Sequence, residues 1–362
     1  MSKAADLART ASASETALSN RNILYNGSME ISQRATSVTG IGASSGYFTL
    51  DRWKIQASNT AGRLTMTQTA DGPSGFATCL KLDCTTADTS VAAAESLQLT
   101  QSLEGFDVQQ LKKGTASAEQ ITISFYVKGN ASATYVAEMY DLDSDTHINK
   151  TFSVTTSWTR IELTYVGDTS NPFDNNNGGS LQFNIWLHAG SNYTSGTIQY
   201  PWGGGNNPGR AAGITSFFDS TNRTFFITGV QMEAGPVATP FEHRSYGQEL
   251  ALCQRYCTKI APTATNASLG TGFARTTTTV HAVRELPVQM RTTPTLAFSA
   301  AADFQVQYLG SVITTTAMAA SELSADTIAF QATVGAASLT AGQGMYIRDL
   351  DGGSTIIATA EL

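Results

Sequence analysis

Short segments of alternating apolar and polar residues recur along most of this chain, and they constrain its fold more than any other feature. In 63–68 (RLTMTQ) the apolar side chains fall on every second residue, which is the period of a strand with one buried face. Turn-forming sequences rich in Gly, Asn, Asp and Pro separate such segments, as at 71–73, 128–130 and 175–179. Many short strands at this spacing predict an antiparallel β-sandwich or jelly roll, and therefore an all-β protein.

The segmentation also predicts how the chain is divided. Residues 1–22 are small and helix-prone, so we expect either an N-terminal helical segment for docking or oligomerisation, or a frayed terminus. Residues 23–241 carry the predicted jelly roll, interrupted by a short helical stretch near 104–111. A connecting helix is predicted over 242–260, and a second, Thr- and Ala-rich β domain over 261–362. The further strands of the jelly roll are predicted at 77–82, 95–102, 120–128, 134–140, 150–154, 159–166, 180–187 and 224–230.

Charge and composition exclude several classes of function. Lys and Arg number 22 against 29 Asp and Glu, so the formal net charge is −7, and only 14% of residues are charged. A chain of this kind is poorly suited to neutralising phosphates, so we expect no nucleic-acid partner. No apolar run approaches the length of a membrane span, so no membrane insertion is expected either. Four cysteines are too few for a disulfide framework, and synthesis in a reducing cytoplasm is expected.

Nothing in the sequence favours catalysis or a cofactor. The four histidines are scattered, and no Ser or Cys lies in a nucleophile-elbow pattern, so we predict a protein that is not an enzyme and has no cofactor. Asp141, Asp143 and Asp145 have the opening spacing of a calcium loop. The later positions of that motif do not follow, because Thr146 and Phe152 stand where Gly and Glu are required. We therefore predict a polar hairpin turn here and keep the three aspartates as a weak calcium candidate.

A long loop over 191–208 gives the best candidate for a binding site. Its aromatic rings could stack on sugar faces and its amides could bond sugar hydroxyls. The alternative is that the aromatic residues are buried against the sandwich edge or a neighbouring subunit. The candidate glycan-binding residues are Tyr193, Tyr200, Trp202 and Asn206.

Three groups of residues resemble a known class of proteins. They are NILYNGSMEISQR (22–34) with LDRW (50–53), VKG (127–129) with TTSWTR (155–160), and ITGVQMEAG (227–235) with ATPFEHRSYGQEL (238–250) and CQRY (253–256). Together they resemble virion structural proteins of tailed bacteriophages, especially the tail-fibre and fibre-like proteins of marine phages. The middle stretch of the three is similar to the carbohydrate-binding-module and galactose-binding-like sandwich found in such proteins.

This resemblance implies a function, a location and an assembly. It implies a component of the virion, made in the host cytoplasm and often homotrimeric, with other tail or capsid proteins as partners. The leading hypothesis is a tail-fibre adhesin that attaches to host cell-surface glycan. The alternatives are a purely structural adaptor, collar or head-decoration protein, and a glycan depolymerase. Thr-rich strands near 276–279, where edges could pair between chains, would suit a trimeric fibre tip.

Overall fold

The structure is a computed structural model that describes residues 20–362. The helix predicted over 1–22 therefore lies almost wholly outside the described residues. The chain divides into two compact units, residues up to Tyr246 together with Leu362, and residues Gly247–Glu361. Within 20–362, no helix has both the length and the apolar character that a membrane crossing requires.

The first unit is a jelly-roll β-sandwich of two antiparallel sheets, which confirms the predicted all-β class. Its six-stranded sheet has the order β1 (Ser37–Ile41), β4 (Arg63–Thr69), β5 (Cys79–Thr86), β13 (Thr224–Ala234), β7 (Ile121–Gly129) and β10 (Thr159–Tyr165). Its seven-stranded sheet has the order β12 (Gly203–Gly204), β9 (Thr146–Val154), β8 (Ala133–Asp141), β11 (Gly179–Ala189), β6 (Ser96–Glu104), β3 (Lys54–Ser58) and β2 (Gly46–Tyr47).

The strands form where the alternation predicted them, because one face of each sheet supplies the core between the sheets. In β4, Leu64 and Met66 are buried while the residues between them are only partly covered. The predicted helical stretch after β6 is a single turn, α1 (Gly105–Val108), followed by a 3₁₀ turn at Gln109–Leu111. A second short helix, α2 (Ser191–Thr194), follows β11 and begins the long loop.

Aromatic side chains fill the middle of the sandwich. Trp53 is fully buried and meets Phe183 edge-on, with 6.5 Å between ring centroids. Phe125 packs against Phe152 at 5.1 Å, again with the rings nearly perpendicular. Trp158, by contrast, is only half-buried, and its ring lies near Phe226 and the ammonium of Lys128. Such edge-on pairs stabilise a core beyond the area they bury.

The second unit contains a helix, a small sheet and a barrel. Helix α3 (Tyr246–Gln254) is followed by a sheet of order β14 (Cys257–Ile260), β22 (Ile356–Thr359) and β17 (Thr295–Phe298). A closed barrel has the order β15 (Ser268–Ala274), β16 (Thr279–Glu285), β20 (Thr327–Val334), β19 (Ser311–Leu323), β18 (Phe304–Tyr308) and β21 (Gly344–Asp349). Closure pairs every strand of the barrel on both sides.

Two predictions in this part of the chain are wrong. The predicted helix over 242–260 spans only Tyr246–Gln254, because Cys257–Ile260 pairs with Ile356–Thr359 instead of continuing the helix. The Thr-rich segment is a hairpin turn and not a long strand. The hydroxyl oxygen of Thr276 accepts the backbone N–H groups of Thr278 and Thr279, at 3.2 and 3.0 Å, and this reverses the chain.

Candidate functional site

The outer face of the seven-stranded sheet carries the most elaborate polar surface of the sandwich. Alternate residues of β6 point into the core, as Leu97 and Leu99 do, so Gln98 and Thr100 point outward. The strand register extends these outward positions into rows across the sheet. One row runs through Gln56, Gln98, Trp186 and Val136, and the next runs through Lys54, Thr100, Asn184, Glu138 and Asn149.

A groove with a volume of about 440 Å³ crosses this face, and we call it the polar groove. That volume is in the range of sites that take small organic ligands. Amides, hydroxyls and aromatic rings dominate its lining. The residues that line it are Ser45, Gln56, Ala57, Ser58, Ser96, Gln98, Tyr140, Leu142, Gln182, Trp186, Tyr193 and Arg210.

A buried ion pair between Arg210 and Glu138 forms the floor of the polar groove. Nε and Nη2 of Arg210 donate to the two carboxylate oxygens of Glu138 at 2.7 and 2.8 Å. The side-chain amides of Asn149 and Asn184 donate to the same two oxygens at 3.0 and 2.8 Å. Glu138 is fully buried, and its carboxylate thus has four donors. Burial alone would raise the pKa of Glu138, but the bonds and charge of Arg210 hold the pKa below its usual value.

Arg210 is also held between two aromatic rings. Its guanidinium carbon lies 4.6 Å from the ring centroid of Tyr140 and 5.0 Å from that of Trp186. The Tyr140 hydroxyl donates to Asp145 at 2.6 Å, and burial together with this bond raises the pKa of Tyr140 to about 12. The floor is therefore rigid, and its cation is already neutralised by Glu138.

In the two rows described above, two buried polar atoms have no hydrogen-bond partner in the described part of the chain. They are the indole Nε1 of Trp186, which lines the polar groove, and Oδ1 of Asn184 in the neighbouring row. A buried donor or acceptor without a partner costs about 1–3 kcal/mol, so such atoms usually meet water or a ligand. The polar groove therefore has an unused donor at Trp186, and the neighbouring row has an unused acceptor at Asn184.

The structure brings one of the four predicted glycan residues to the polar groove. Tyr193, on α2, lines the groove and packs on Trp186 with ring centroids 5.1 Å apart. Tyr200 lines a separate depression of about 430 Å³, where the ammonium of Lys150 lies 5.2 Å from its ring. Trp202 packs against the core and donates from Nε1 to the carbonyl of Val166 at 2.8 Å. Asn206 donates to Oε1 of Gln199 at 2.8 Å.

The main residues of the polar groove were not predicted from the sequence. Gln56, Gln98 and Gln182 lie in regular strands, whereas the predicted candidates all belong to the loop over 191–208. A usable signal exists in β6, SLQLTQSLE, where Gln and Thr alternate with leucines on an otherwise buried strand. Outward amides on a central strand indicate a polar surface, but the sequence does not tell which strands lie beside it.

The three aspartates of the calcium candidate have other partners. Asp141 is fully buried, and Oδ2 lies 2.6 Å from the ammonium of Lys113, which also pairs with Asp168 at 2.9 Å. Oδ2 of Asp143 accepts the backbone N–H of Asp174 at 2.9 Å, and Oδ1 of Asp145 accepts the Tyr140 hydroxyl. The lysine ammonium thus takes the position beside Asp141 that a cation would need, and the segment is the predicted polar hairpin turn between β8 and β9.

Several residues within the groups that carry the resemblance stabilise the interior of the sandwich by hydrogen bonds. The side chain of Asn26 donates to the carbonyls of Ile31 and Asp51 at 2.8 and 2.9 Å and accepts the N–H of Ile31 at 2.9 Å. Trp53 Nε1 donates to the carbonyl of Asn26 at 3.0 Å. Asn22 ties the N-terminal segment to β13, since its side chain bonds the backbone of Val230 and Met232 at 3.0 Å each. These shared residues are scaffold residues.

The sequence matches no protein-family model. No curated protein matches it either. Several solved structures are similar to more than half of this chain. A chain described as CBM4 is 12% identical, with 58% of this chain and 97% of that chain covered and a TM-score of 0.32. The CBM22-1 xylan-binding domain from Paenibacillus barcinonensis Xyn10C is 14% identical, with 60% and 96% covered and a TM-score of 0.29. TmCBM61 in complex with β-1,4-galactotriose is 10% identical, with 59% and 99% covered and a TM-score of 0.31. TM-scores this low do not support an inference about this chain. Its jelly-roll class is therefore assigned from its own two sheets.

Proposed function

We propose that this protein is a non-catalytic adhesin that binds glycan in the polar groove. The observation that carries the proposal is the lining of the groove, which combines three glutamines and two tyrosines with Trp186, whose indole N–H has no partner among the described residues. Sugar hydroxyls both donate and accept, and each glutamine amide does the same. Because Glu138 neutralises Arg210, the groove favours a neutral glycan over an anionic one.

The place of this adhesin on a phage particle rests on a separate argument. The three groups of residues that resemble tail-fibre proteins support a virion component, with a homotrimer and tail or capsid partners as the implied assembly. In this proposal the groove faces the host envelope and recognises cell-surface glycan. Light scattering on the purified full chain tests the assembly, since a trimer has three times the mass of one chain.

A purely structural part of the virion is the second candidate. It is favoured by the scaffold role of Asn22, Asn26 and Trp53 and by the internal bonds of Trp202 and Asn206. Those residues stabilise the sandwich whether or not it binds anything. Glycan-array binding separates the candidates, because a structural part binds no glycan and labels no host cell. Release of reducing sugar from host envelope would instead identify a depolymerase.

Replacing Tyr193 with alanine is expected to weaken glycan binding about tenfold. Its ring borders the groove, and loss of an aromatic contact costs about 0.5–1.5 kcal/mol. Tyr200→Ala is the matched control, because Tyr200 belongs to the same loop but lies outside the polar groove. The measurement is a titration with the best glycan found on an array. Equal losses in the two variants, or a loss in Tyr200→Ala alone, would contradict the proposed site.

A pair of tryptophan variants tests the unused indole donor. Trp186→Phe removes Nε1, so we expect weaker glycan binding, by about 0.5–1.5 kcal/mol. Because the indole is almost fully buried, the smaller ring should also lower stability, by about 1 kcal/mol. Trp202→Phe removes an Nε1 that is already bonded to Val166, so we expect about 1 kcal/mol lower stability and unchanged binding. Binding titrations and urea denaturation on the same samples give both numbers. The reverse pattern would show that Nε1 of Trp186 does not meet the ligand.

A further inference from the structure

A second cluster of chemically active side chains lies at one end of the sandwich, outside the polar groove. Asp88, Glu95 and His188 are all buried, and one potential ligand atom from each lies within 4.8 Å of the others. His188 is at the end of β11, and the two carboxylates come from the connection between β5 and β6. Segments far apart in sequence therefore converge on one point.

We propose that Asp88, Glu95 and His188 form a binding site for one divalent transition-metal ion of the zinc class. The proposal does not depend on glycan binding. It rests on the distances between the three side chains, on the electrostatics of the cluster and on the way each ligand is held.

The distances suit coordination by a small ion. Nε2 of His188 lies 3.2 Å from Oε2 of Glu95. In a tetrahedral zinc site with bonds of about 2.1 Å, neighbouring ligand atoms are about 3.4 Å apart. An ion beside these two atoms needs only a small closure of Asp88, since all three ligand atoms already lie within 4.8 Å.

The negative charges of the cluster also favour binding of a cation. Among the described residues, Glu95 has an ion-pair contact with His188 alone, and Asp88 has no Lys or Arg partner. Two buried carboxylates that no described Lys or Arg accompanies leave negative charge that is costly away from water. A divalent cation supplies a counter-charge.

Each ligand is already oriented by other groups. Oδ2 of Asp88 accepts the hydroxyl of Thr60 at 2.9 Å and the N–H of Ala61 at 2.8 Å. Nδ1 of His188 lies 2.7 Å from Oγ of Ser216, and that oxygen also accepts the N–H of Phe218 at 3.1 Å. On metal binding, the neutral imidazole keeps its one proton on Nδ1, where Ser216 accepts it. Nε2 then presents its lone pair to the ion. Outer partners of this kind are typical of metal-bound histidines.

The ligand types indicate which metal fits. Zn²⁺ takes imidazole nitrogen and carboxylate oxygen together, whereas Ca²⁺ needs six to eight oxygen ligands and Mg²⁺ keeps several waters. One histidine and two carboxylates leave a fourth position for water. Because Glu95 directly precedes Ser96, a bound ion would also order that end of the polar groove.

The test is metal titration of the full chain after dialysis against a chelator. We expect one Zn²⁺ per chain by calorimetry, a higher unfolding temperature with Zn²⁺, and d–d absorption bands on adding Co²⁺ in its place. Glu95→Gln, a neutral replacement of equal size, should weaken Zn²⁺ binding at least about 100-fold, and His188→Gln should do the same. Ser216→Ala should weaken it about 10- to 100-fold through loss of orientation.

The control is His281→Gln in the barrel, where Nε2 of His281 lies 3.7 Å from a carboxylate oxygen of Glu322. This variant should bind Zn²⁺ as the unchanged chain does. Tryptophan fluorescence establishes that the sandwich of each variant is folded before titration, and far-ultraviolet circular dichroism does so for His281→Gln. Glu95→Gln decides the question if His188→Gln does not fold. Absence of Co²⁺ bands in the unchanged chain, or Zn²⁺ binding that survives Glu95→Gln, would overturn the proposal.

Discussion

The variant Arg210→Met is expected to lower the free energy of unfolding of the sandwich by about 3–5 kcal/mol at pH 7. Methionine fills similar space but leaves the Glu138 carboxylate buried without its cation, and breaking a buried pair in this way carries that cost. Urea denaturation followed by tryptophan fluorescence measures it. All four tryptophans, at 53, 158, 186 and 202, belong to the first unit, so this signal reports the sandwich alone.

The cost of Arg210→Met should shrink as the pH falls. In the unchanged chain the folded pKa of Glu138 is below its unfolded value of about 4.3, so its contribution is present above that pH and is lost below it. In the variant, burial without the cation should raise the folded pKa, so stability is lost as the pH rises above about 4.3. Both effects make the difference largest near pH 7 and smaller near pH 4.

Removing both charges is the control for this prediction. In Arg210→Met with Glu138→Gln, no buried charge is left unpaired, so we expect most of the lost stability to return. A single variant as stable as the unchanged chain, or a double variant no better than the single one, would show that the pair contributes little to folding. In either case the rigid floor of the polar groove would need another explanation.

Trp53→Ala should cost a similar amount, about 3–5 kcal/mol, for a different reason. The ring is fully buried among aromatic residues of the core, so its loss leaves a large cavity. It also removes the bond from Nε1 to the carbonyl of Asn26, at the centre of the scaffold made by the N-terminal residues. Fluorescence of the three remaining tryptophans during urea denaturation gives the change in stability.

Trp158→Ala is the matched control for Trp53→Ala. Trp158 is half-buried, and its ring lies near Phe226 and Lys128. We expect a cost of about 1 kcal/mol, since part of the ring already contacts solvent. Equal costs for the two variants would contradict the assignment of Trp53 as the core anchor.

The strands of the sandwich could be predicted because their signal is local. Alternation with a period of two appears within a few residues, and burial of one face enforces it, so the predicted segment 63–68 is β4 within one residue. The errors arose where a local pattern is compatible with more than one type of secondary structure. Cys257 continues the apolar spacing of α3, but a partner strand a hundred residues later makes it part of β14.

The candidate site could not be predicted in the same way. Gln98 and Gln182 come together because β11 pairs with β6. The two residues are 84 positions apart, and neither local sequence indicates that the two strands pair. The ion pair between Glu138 and Arg210 joins a strand to a distant loop and has no sequence pattern of its own. The aromatic residues of the loop were predicted as glycan-binding residues from the composition of the loop. Of these, Trp202 packs on the core, and only Tyr193 lines the polar groove.

By itself, the sequence determined the all-β class, the position of most strands and the low content of charged residues. Those properties depend on neighbours within a few residues or on sums over the whole chain. The tertiary structure alone decided which polar side chains share a face and which of them remain unpaired. It also decided that Asp88, Glu95 and His188 meet. Strand order and register set these contacts, because distances between side chains on different strands depend on pairings that local sequence does not encode.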